Sequence, residues 1–132
     1  MSDTQASDIV EHASPLSFHE TVERLLQAIV KAGMTLFATI DHAAHAKTIG
    51  TTMPPATVLI YGNPKGGTPI MVATPQAALD LPLRVLVRQR EDGTVAIVFH
   101  PVAAMLHRSG VPEDVGARLE PAQRVLIAAL TA

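Results

Sequence analysis

Residues 58–69 read VLIYGNPKGGTP, and the order of residue types in this stretch decides the fold class. The continuous apolar run Val58–Tyr61 is typical of a strand that is covered on both faces. Gly62-Asn63-Pro64 is a turn signal, and Thr68 and Pro69 then predict the N-cap and the first residue of a helix. A buried strand followed by a helix predicts a domain in which helices pack on a sheet.

The segments before this stretch alternate between strand and helix patterns. Ser17 and Glu20 have the spacing of a capping box, which predicts a helix start, and Gly33 predicts its end. The apolar positions of this helix recur at steps of three and four: Phe18, Val22, Leu25, Leu26, Ile29 and Val30. The other predicted elements here are a strand around 9–12, a strand with period-two alternation over 34–41 and a short helix over 43–49 closed by Gly50.

The segments after this stretch predict a hairpin and several helices. Asp92-Gly93 stands between two alternating runs, Leu83–Arg88 and Val95–Phe99, and is a strong hairpin signal. The predicted helical segments are two short pieces over 70–79, one helix opening at Pro101 and a C-terminal tail over 113–130 broken at Pro121. Together these elements predict a single α+β domain over residues 1–132, with an open mixed sheet of about five strands and helices packed mainly on one face.

Composition excludes several classes of function. The 132 residues include no cysteine, so disulfides, thiolate nucleophiles and cysteine-based metal sites are excluded, and a cytoplasmic location is expected. The polar N-terminus has no signal-peptide pattern, and no apolar run has the roughly 20 residues that cross a bilayer. A net charge of −2 and four aromatic residues offer neither a basic stripe nor a stacking platform, so no nucleic-acid partner is expected.

The loop Asn63–Thr68 is the first candidate ligand site. Ligands of open sheets favour the crevice beyond the carboxyl ends of strands. Glycine at Gly66 and Gly67 allows close approach to the backbone, amides at a helix start attract anions, and Lys65 adds a positive charge. The spacing matches neither the phosphate-binding motif GxxxxGK[ST] nor GxGxxG. The alternative is a purely structural turn that needs its glycines and prolines for geometry.

Asp41 and His42 form a second candidate site, at the end of the predicted strand 34–41. An Asp beside a His can fix its tautomer and raise its basicity, as a general base requires. The alternative is that Asp41 caps the following short helix. His42 and His45 are three residues apart, but no metal-binding signature accompanies them, and no dedicated metal site is predicted.

Arginine side chains mark one face of the predicted hairpin. Arg84, Arg88 and Arg90 fall on the same side of a strand and predict a solvated face; the alternatives are an anion-facing wall or a dimer contact. An open sheet also has edges and an uncovered face, through which two copies can associate. A homodimer is therefore expected.

The order of these motifs resembles one known family. The segments that carry the resemblance are Ile40-Asp41-His42-Ala43-Ala44, Pro54-Pro55, Gly62-Asn63-Pro64-Lys65 with Gly67-Thr68-Pro69, and Asp80-Leu81-Pro82-Leu83. They resemble the prokaryotic family called domain of unknown function 302, over about residues 14–111, which leaves a helical extension over 113–131. The resemblance implies a small α+β fold, a homodimer and no established activity or cofactor.

The resemblance also places several polar residues at motif positions of the family: Asp41, His42, Asn63, Lys65, Gly67, Thr68 and Asp80. The sequence departs from the family further on. Arg88 and Gln89 stand where relatives often have an aromatic followed by acidic residues, and Val98-Phe99-His100-Pro101 replaces a Tyr-Asn-Asp-Pro-like segment. No family role for that Tyr or Asn therefore transfers to Phe99 or His100.

Three functions follow as hypotheses. The first is a dimeric module that binds a small anionic ligand at Asn63–Thr68, with Lys65 as the cation, the amides of Gly67 and Thr68 as donors, and Asp41, His42 or Asp80 nearby. The second is a small enzyme in which His42, oriented by Asp41 or Asp80, acts as acid–base with Lys65. The third is a protein-interaction module that uses a sheet edge or the arginine face.

Overall fold

The computed structural model describes residues 9–131 as one layer of sheet with packed helices. The strands are β1 (Val10–Ser14), β2 (Thr35–Asp41), β3 (Ala56–Gly62), β4 (Leu83–Gln89) and β5 (Val95–Phe99). The helices are α1 (Phe18–Lys31), α2 (His42–Lys47), α3 (Pro64–Ala73), α4 (Val102–His107), α5 (Glu113–Gly116) and α6 (Glu120–Ala129), with 3-10 turns at Pro75–Leu79 and Ala117–Leu119. The α+β class and the five strands are confirmed.

The five strands lie in the order β1-β5-β4-β3-β2, and every pairing is antiparallel. The expectation of a mixed sheet is therefore wrong. The strands β1 and β2 do run in the same direction, joined by α1, but three other strands separate them, so they never pair. A parallel pair requires such a crossover to end beside its starting strand, and here it ends at the far edge.

The core lies on one face of the sheet. Alternate residues of the three central strands are buried there: Leu59 and Tyr61 on β3, Leu83, Val85 and Val87 on β4, and Val95, Ile97 and Phe99 on β5. Leu25 and Ile29 of α1 and Leu126 of α6 pack into the same cluster. The alternate residues of the strands and the apolar stripe of α1 thus pack against each other in a single apolar layer.

The opposite face of the sheet carries a second, partly exposed apolar row. Ile40, Val58, Leu86 and Val98 are neighbours across β2, β3, β4 and β5, and each is only partly buried. One-sided coverage is common for antiparallel sheets.

Local sequence signals set most of the element boundaries. Ser17 and Glu20 form the predicted capping box at the start of α1, and Gly33 adopts φ 76° after its end, as a left-handed C-terminal residue does. The predicted hairpin joins β4 and β5, with Gly93 at φ 89° in its turn. The carboxylate of Asp92 accepts from the amide and the hydroxyl of Thr94, and these bonds hold its pKa below the usual value.

Helix α3 begins earlier than the sequence pattern predicted. Its N-cap is Asn63, whose side chain accepts from the amide of Lys65, and Pro64 is the first helical residue. The predicted N-cap at Thr68 is wrong: Thr68 and Pro69 lie inside the helix. Pro69 cannot donate to the carbonyl of residue 65, but both positions are exposed, so water can satisfy that carbonyl.

Candidate functional site

A pocket lies where β3 ends, α3 begins and β4 begins, and its volume is about 300 Å³. We call it the α3 pocket. Its lining is formed by Phe37, Gly62, Asn63, Pro64, Gly67, Thr68, Met71, Leu81, Pro82, Leu83, Leu119 and Ala122. Only Asn63 and Thr68 in this set carry polar side chains, so the pocket suits a mainly apolar guest with one polar end.

One face of α3 forms a wall of this pocket. Pro64, Gly67, Thr68 and Met71 all line it, and their spacing of three, four and seven residues places them on one side of a helix. A Cβ added at Gly67 would touch the Leu81 side chain at 3.7 Å and the Met71 side chain at 3.9 Å. The missing side chain of Gly67 therefore keeps this part of the pocket open.

The backbone amides at the start of α3 are already used within the chain. The amides of Gly66 and Gly67 donate to the carbonyl of Asn63 at 2.9 and 3.0 Å, and the amide of Lys65 donates to the Asn63 side chain at 3.0 Å. The predicted role of the Gly67 amide as an anion donor is therefore contradicted. This follows from the early helix start, because Asn63 caps the amides that a later start leaves unpaired. The Lys65 side chain is exposed.

The residues Asp41 and His42 lie at the opposite end of the sheet from the α3 pocket. In the antiparallel register of β2 and β3, Asp41 is opposite Thr57, while Thr35 is opposite Gly62. These two positions are five residue steps apart on β3, a distance of about 17 Å. The Asp41 carboxylate accepts from the amide of Ala44 at 2.9 Å, so the capping alternative is confirmed. Within one chain, Asp41 and His42 do not converge with Lys65.

Asp80 lies at the pocket end of the sheet but outside the pocket lining. It follows the 3-10 turn Pro75–Leu79 and precedes the cis bond between Leu81 and Pro82. Its carboxylate accepts from the hydroxyl of Ser109 at 2.9 Å, which ties this segment to the turn after α4. Through this hydrogen bond Asp80 holds in place the segment that carries Leu81, which lines the pocket.

The predicted arginine face is partly neutralised. Arg88 and Arg90 both contact one carboxylate oxygen of Glu11 on β1, at 3.1 and 2.9 Å. These side chains are about a third exposed or more, so the pairs contribute little to stability. Arg84 is exposed on the same strand. Two of the three arginines thus serve a contact between β1 and the hairpin.

Sequence reasoning missed the apolar wall of the pocket. Phe37, Met71, Leu81 and Leu119 come from four separate segments, and no motif joins them. One signal was available in the sequence. Gly67 and Met71 are four residues apart, so they lie on the same face of a helix, and the missing side chain of the glycine leaves space on that face.

Within residues 9–131, no three His, Asp or Glu side chains are grouped as metal ligands would be. No helix in the same range has the length and apolar character needed to span a membrane.

Three curated relatives match most of this chain, each named a fluoride-specific ion channel FluC. The one from Brucella suis biovar 1 (strain 1330) is 36% identical over 111 residues, covering 83% of this chain and 44% of its own length. Those from Brucella abortus biovar 1 and Brucella melitensis biotype 1 show the same identity and cover 41% of their own length. The chain therefore spans less than half the length of these relatives.

A solved structure and a family model match nearly the whole chain. The crystal structure of an uncharacterized conserved DUF302 protein from Bacillus stearothermophilus superposes with a TM-score of 0.81 at 19% identity, covering 94% of this chain and 96% of that one. This likeness supports the fold alone. The model of the family described as domain of unknown function DUF302 matches residues 10–130, which include the C-terminal helices. The chain belongs to the DUF302 family.

Proposed function

We propose that the protein is a homodimeric binding module that holds a small ligand, with an apolar body and one acidic group, in the α3 pocket. The observation that carries this proposal is the cavity of about 300 Å³ with an apolar wall and two polar residues. A volume of about 300 Å³ is at the lower end of the range for ligand pockets, and such pockets typically combine apolar walls with a few polar groups.

The apolar wall supports binding of the ligand body. Phe37, Met71 and Leu81 contribute side chains of different shape to the lining. Each square ångström of apolar surface removed from water contributes about 25 cal/mol, and Met adapts its shape to irregular guests. The pocket volume limits the ligand to a small molecule or to one end of a larger one.

The polar rim supports one acidic group on that ligand. Asn63 carries an amide NH₂ and Thr68 a hydroxyl, both of which can donate hydrogen bonds. Lys65 precedes Thr68 by three residues and lies in the first turn of α3. The helix dipole favours a negatively charged ligand group at this end of the helix, and the Lys65 charge adds to that attraction. The proposal therefore still includes an acidic group on the ligand, but side chains and not backbone amides donate the hydrogen bonds to it.

The enzyme alternative has less support. General acid–base catalysis needs the acting side chains within about 3 Å of the reacting atoms, and within one chain His42 stands about 17 Å along the sheet from the strand end beside Lys65. In either copy of a dimer, the Asp41 carboxylate that would orient His42 accepts instead from the amide of Ala44. A binding role needs no such convergence. The cytoplasmic location stays a prediction from the cysteine-free sequence.

Fluorescence of 8-anilinonaphthalene-1-sulfonate tests this proposal, because the probe combines an apolar body with one acidic group. Gly67→Leu fills the pocket and should weaken probe binding by at least about tenfold, the effect of losing roughly 1.4 kcal/mol. Ala73→Leu adds the same side chain to the same helix outside the lining and should change binding less than about twofold. Lys65→Ala should weaken it by about threefold, since an exposed charge contributes under 1 kcal/mol.

Two results would contradict the proposal: no saturable binding of the probe to the unmodified protein, or equal binding by the Gly67→Leu and Ala73→Leu variants. The natural ligand class can then be sought by thermal shift with carboxylates, phosphates and fluoride, the last because the Brucella relatives are named for it. A ligand at 100 times its Kd adds about 2.7 kcal/mol of stability. We expect the largest shift from an apolar carboxylate.

A further inference from the structure

We infer that two copies of this chain pair antiparallel along β2, and that His42 of each copy completes the rim of the other copy's α3 pocket. The role given to His42 rests on the proposed function, whereas the pairing of the strands does not. The inference joins two observations: an uncovered apolar edge, and motif residues that lie at opposite ends of one chain.

Of the eight large apolar side chains that are exposed among residues 9–131, four lie in one segment. Leu36, Phe37, Ile49 and Met53 are exposed at 39%, 49%, 79% and 37%. All four lie between the start of β2 and the start of β3. Helix α2, which connects these two strands, has no buried residue. Six of the seven residues of β2 are exposed. An apolar surface gathered in one segment is typical of an interface.

The two edges of the sheet differ in how they are protected. β1 carries Glu11 and His12, and Glu11 is held by arginines of the hairpin. β2 reads TLFATID and has no charged residue or proline before Asp41. Charges, prolines and β-bulges keep edge strands from pairing; β2 has one register irregularity, between Leu36 and Ala38, and neither of the other two devices before Asp41. The outer edge of β2 is thus the one suited to a second strand.

Antiparallel pairing of β2 with itself is compatible with the charges. The only charged residue of the strand is Asp41, at its end. In an antiparallel pair about a twofold axis, the two Asp41 side chains lie at opposite ends of the interface, so no like charges meet. A second copy therefore fits this edge without a repulsive contact between strands.

The same pairing moves the Asp41–His42 end of one copy to the pocket end of the other. In each chain Thr35 lies beside Gly62, which lines the α3 pocket. When the twofold axis passes through Ala38, the centre of the strand, the partner's Asp41 lies opposite Thr35, two strand spacings, or about 10 Å, from Gly62. The partner's His42 then approaches the rim formed by Asn63, whereas His42 of the same chain stays about 17 Å away.

This arrangement gives His42 a function that it lacks within one chain. An imidazole N–H can donate to an acidic group and adds to the donors of Asn63 and Thr68. Asp41 caps α2 by accepting from the amide of Ala44. This cap fixes the backbone position of His42, the first residue of α2. A complete ligand site then requires two copies.

Sedimentation velocity tests the pairing. The unmodified chain, of 14.0 kDa, should sediment as a dimer. Ala38→Lys places a charge in the middle of β2 and should give a monomer. Ala13→Lys makes the same change at an exposed alanine of β1 and should stay a dimer. A monomeric unmodified protein, or a dimer that Ala38→Lys leaves intact, overturns the pairing; if Leu86→Lys alone gives a monomer, the interface is the uncovered sheet face instead.

Binding of 8-anilinonaphthalene-1-sulfonate tests the shared rim. His42→Ala should weaken probe binding by about fivefold in the dimer, the effect of one lost hydrogen bond of about 1 kcal/mol, and should have no effect in the Ala38→Lys background. An unchanged affinity of the dimeric His42→Ala variant overturns the shared rim. If the unmodified protein binds no probe, the proposed function fails, and the sedimentation result still decides the pairing.

Discussion

Strands β2 and β4 both contain seven residues and both pair with β3, yet one is exposed and the other buried. Leu83, Val85 and Val87 of β4 are at most 3% exposed, whereas β2 keeps only Ile40 partly covered. Ladder hydrogen bonds do not explain this difference, because both strands make them with the same neighbour. The difference comes from position in the sheet: β4 lies between β3 and β5, whereas β2 is an edge strand, and in a single chain its side chains stay exposed.

The largest expected contrast concerns two leucines on either side of Tyr61. Leu36 of β2 and Leu83 of β4 are both opposite Tyr61, at 39% and 3% exposure. Leu83→Ala should lower the free energy of unfolding by about 3 kcal/mol, because it leaves a cavity in the core. Leu36→Ala should lower it by about 1 kcal/mol or less, measured by urea unfolding in the monomeric Ala38→Lys background.

Equal losses for the two leucines would contradict the view that β2 is uncovered in the single chain. In the proposed dimer, Leu36→Ala should cost more than in the monomer, because a second copy paired along β2 would bury part of this side chain.

The next contrast uses isosteric exchanges in one row across the sheet. Thr39, Leu59 and Val85 are neighbours on β2, β3 and β4. Val85→Thr buries a hydroxyl among apolar side chains and should cost about 2 kcal/mol. Thr39→Val changes an exposed position and should shift the free energy of unfolding by less than about 0.5 kcal/mol. Thermal unfolding of both variants in the monomeric Ala38→Lys background, at one pH, checks this; a cost for Thr39→Val that matches Val85→Thr would contradict it.

The smallest effect concerns Tyr61, between the two strands. Its hydroxyl is buried without a hydrogen-bond partner among residues 9–131, so Tyr61→Phe should raise the free energy of unfolding at neutral pH by about 1 kcal/mol. Burial also raises the pKa of Tyr61 well above the ordinary value for a tyrosine. The phenol therefore ionises more readily in the unfolded chain, and the stability of the native protein falls as pH rises above 10.

Tyr61→Phe should remove this loss, so the difference in stability between the variant and the native protein should grow above pH 10. Chemical unfolding at a series of pH values measures it. A constant difference would show that the hydroxyl ionises equally in both states, against its burial.

Local signals were enough to predict the best-packed elements. The capping box at Ser17 and Glu20, the stripe of α1 and the Asp92-Gly93 turn each depend on residues within a few positions of one another. Whether the sheet was mixed or antiparallel could not be read in the same way, because it depends on where the crossover through α1 ends. That end is decided by contacts among strands far apart in the chain.

The start of α3 was ambiguous for a specific reason. Asn63-Pro64 and Thr68-Pro69 both pair a capping residue with a proline, and each could open a helix. The chain uses the first pair, directly after β3. Gly66 then passes close to Leu119, where an added Cβ would come within 3.0 Å of that side chain. This packing against a distant residue leaves no trace in the local pattern.

The candidate site was half predictable. The segment Asn63–Thr68 was identified from its position after the central strand, and four of its residues, Asn63, Pro64, Gly67 and Thr68, line a pocket, whereas Lys65 and Gly66 do not. The apolar wall was not, because Phe37, Leu81 and Leu119 meet only through the folded sheet. The separation of Asp41 and His42 from Lys65 follows from the register of β2 against β3, which a single sequence does not specify.

Hydrogen exchange of the β2 amides, residues 35–41, tests most directly whether this strand is covered by a second copy. In the native protein, the β2 amides that point away from β3 should exchange slowly at high protein concentration and faster on dilution, and they should exchange rapidly in the Ala38→Lys variant at any concentration. Exchange of these amides at one rapid rate in both proteins, independent of concentration, would contradict the account.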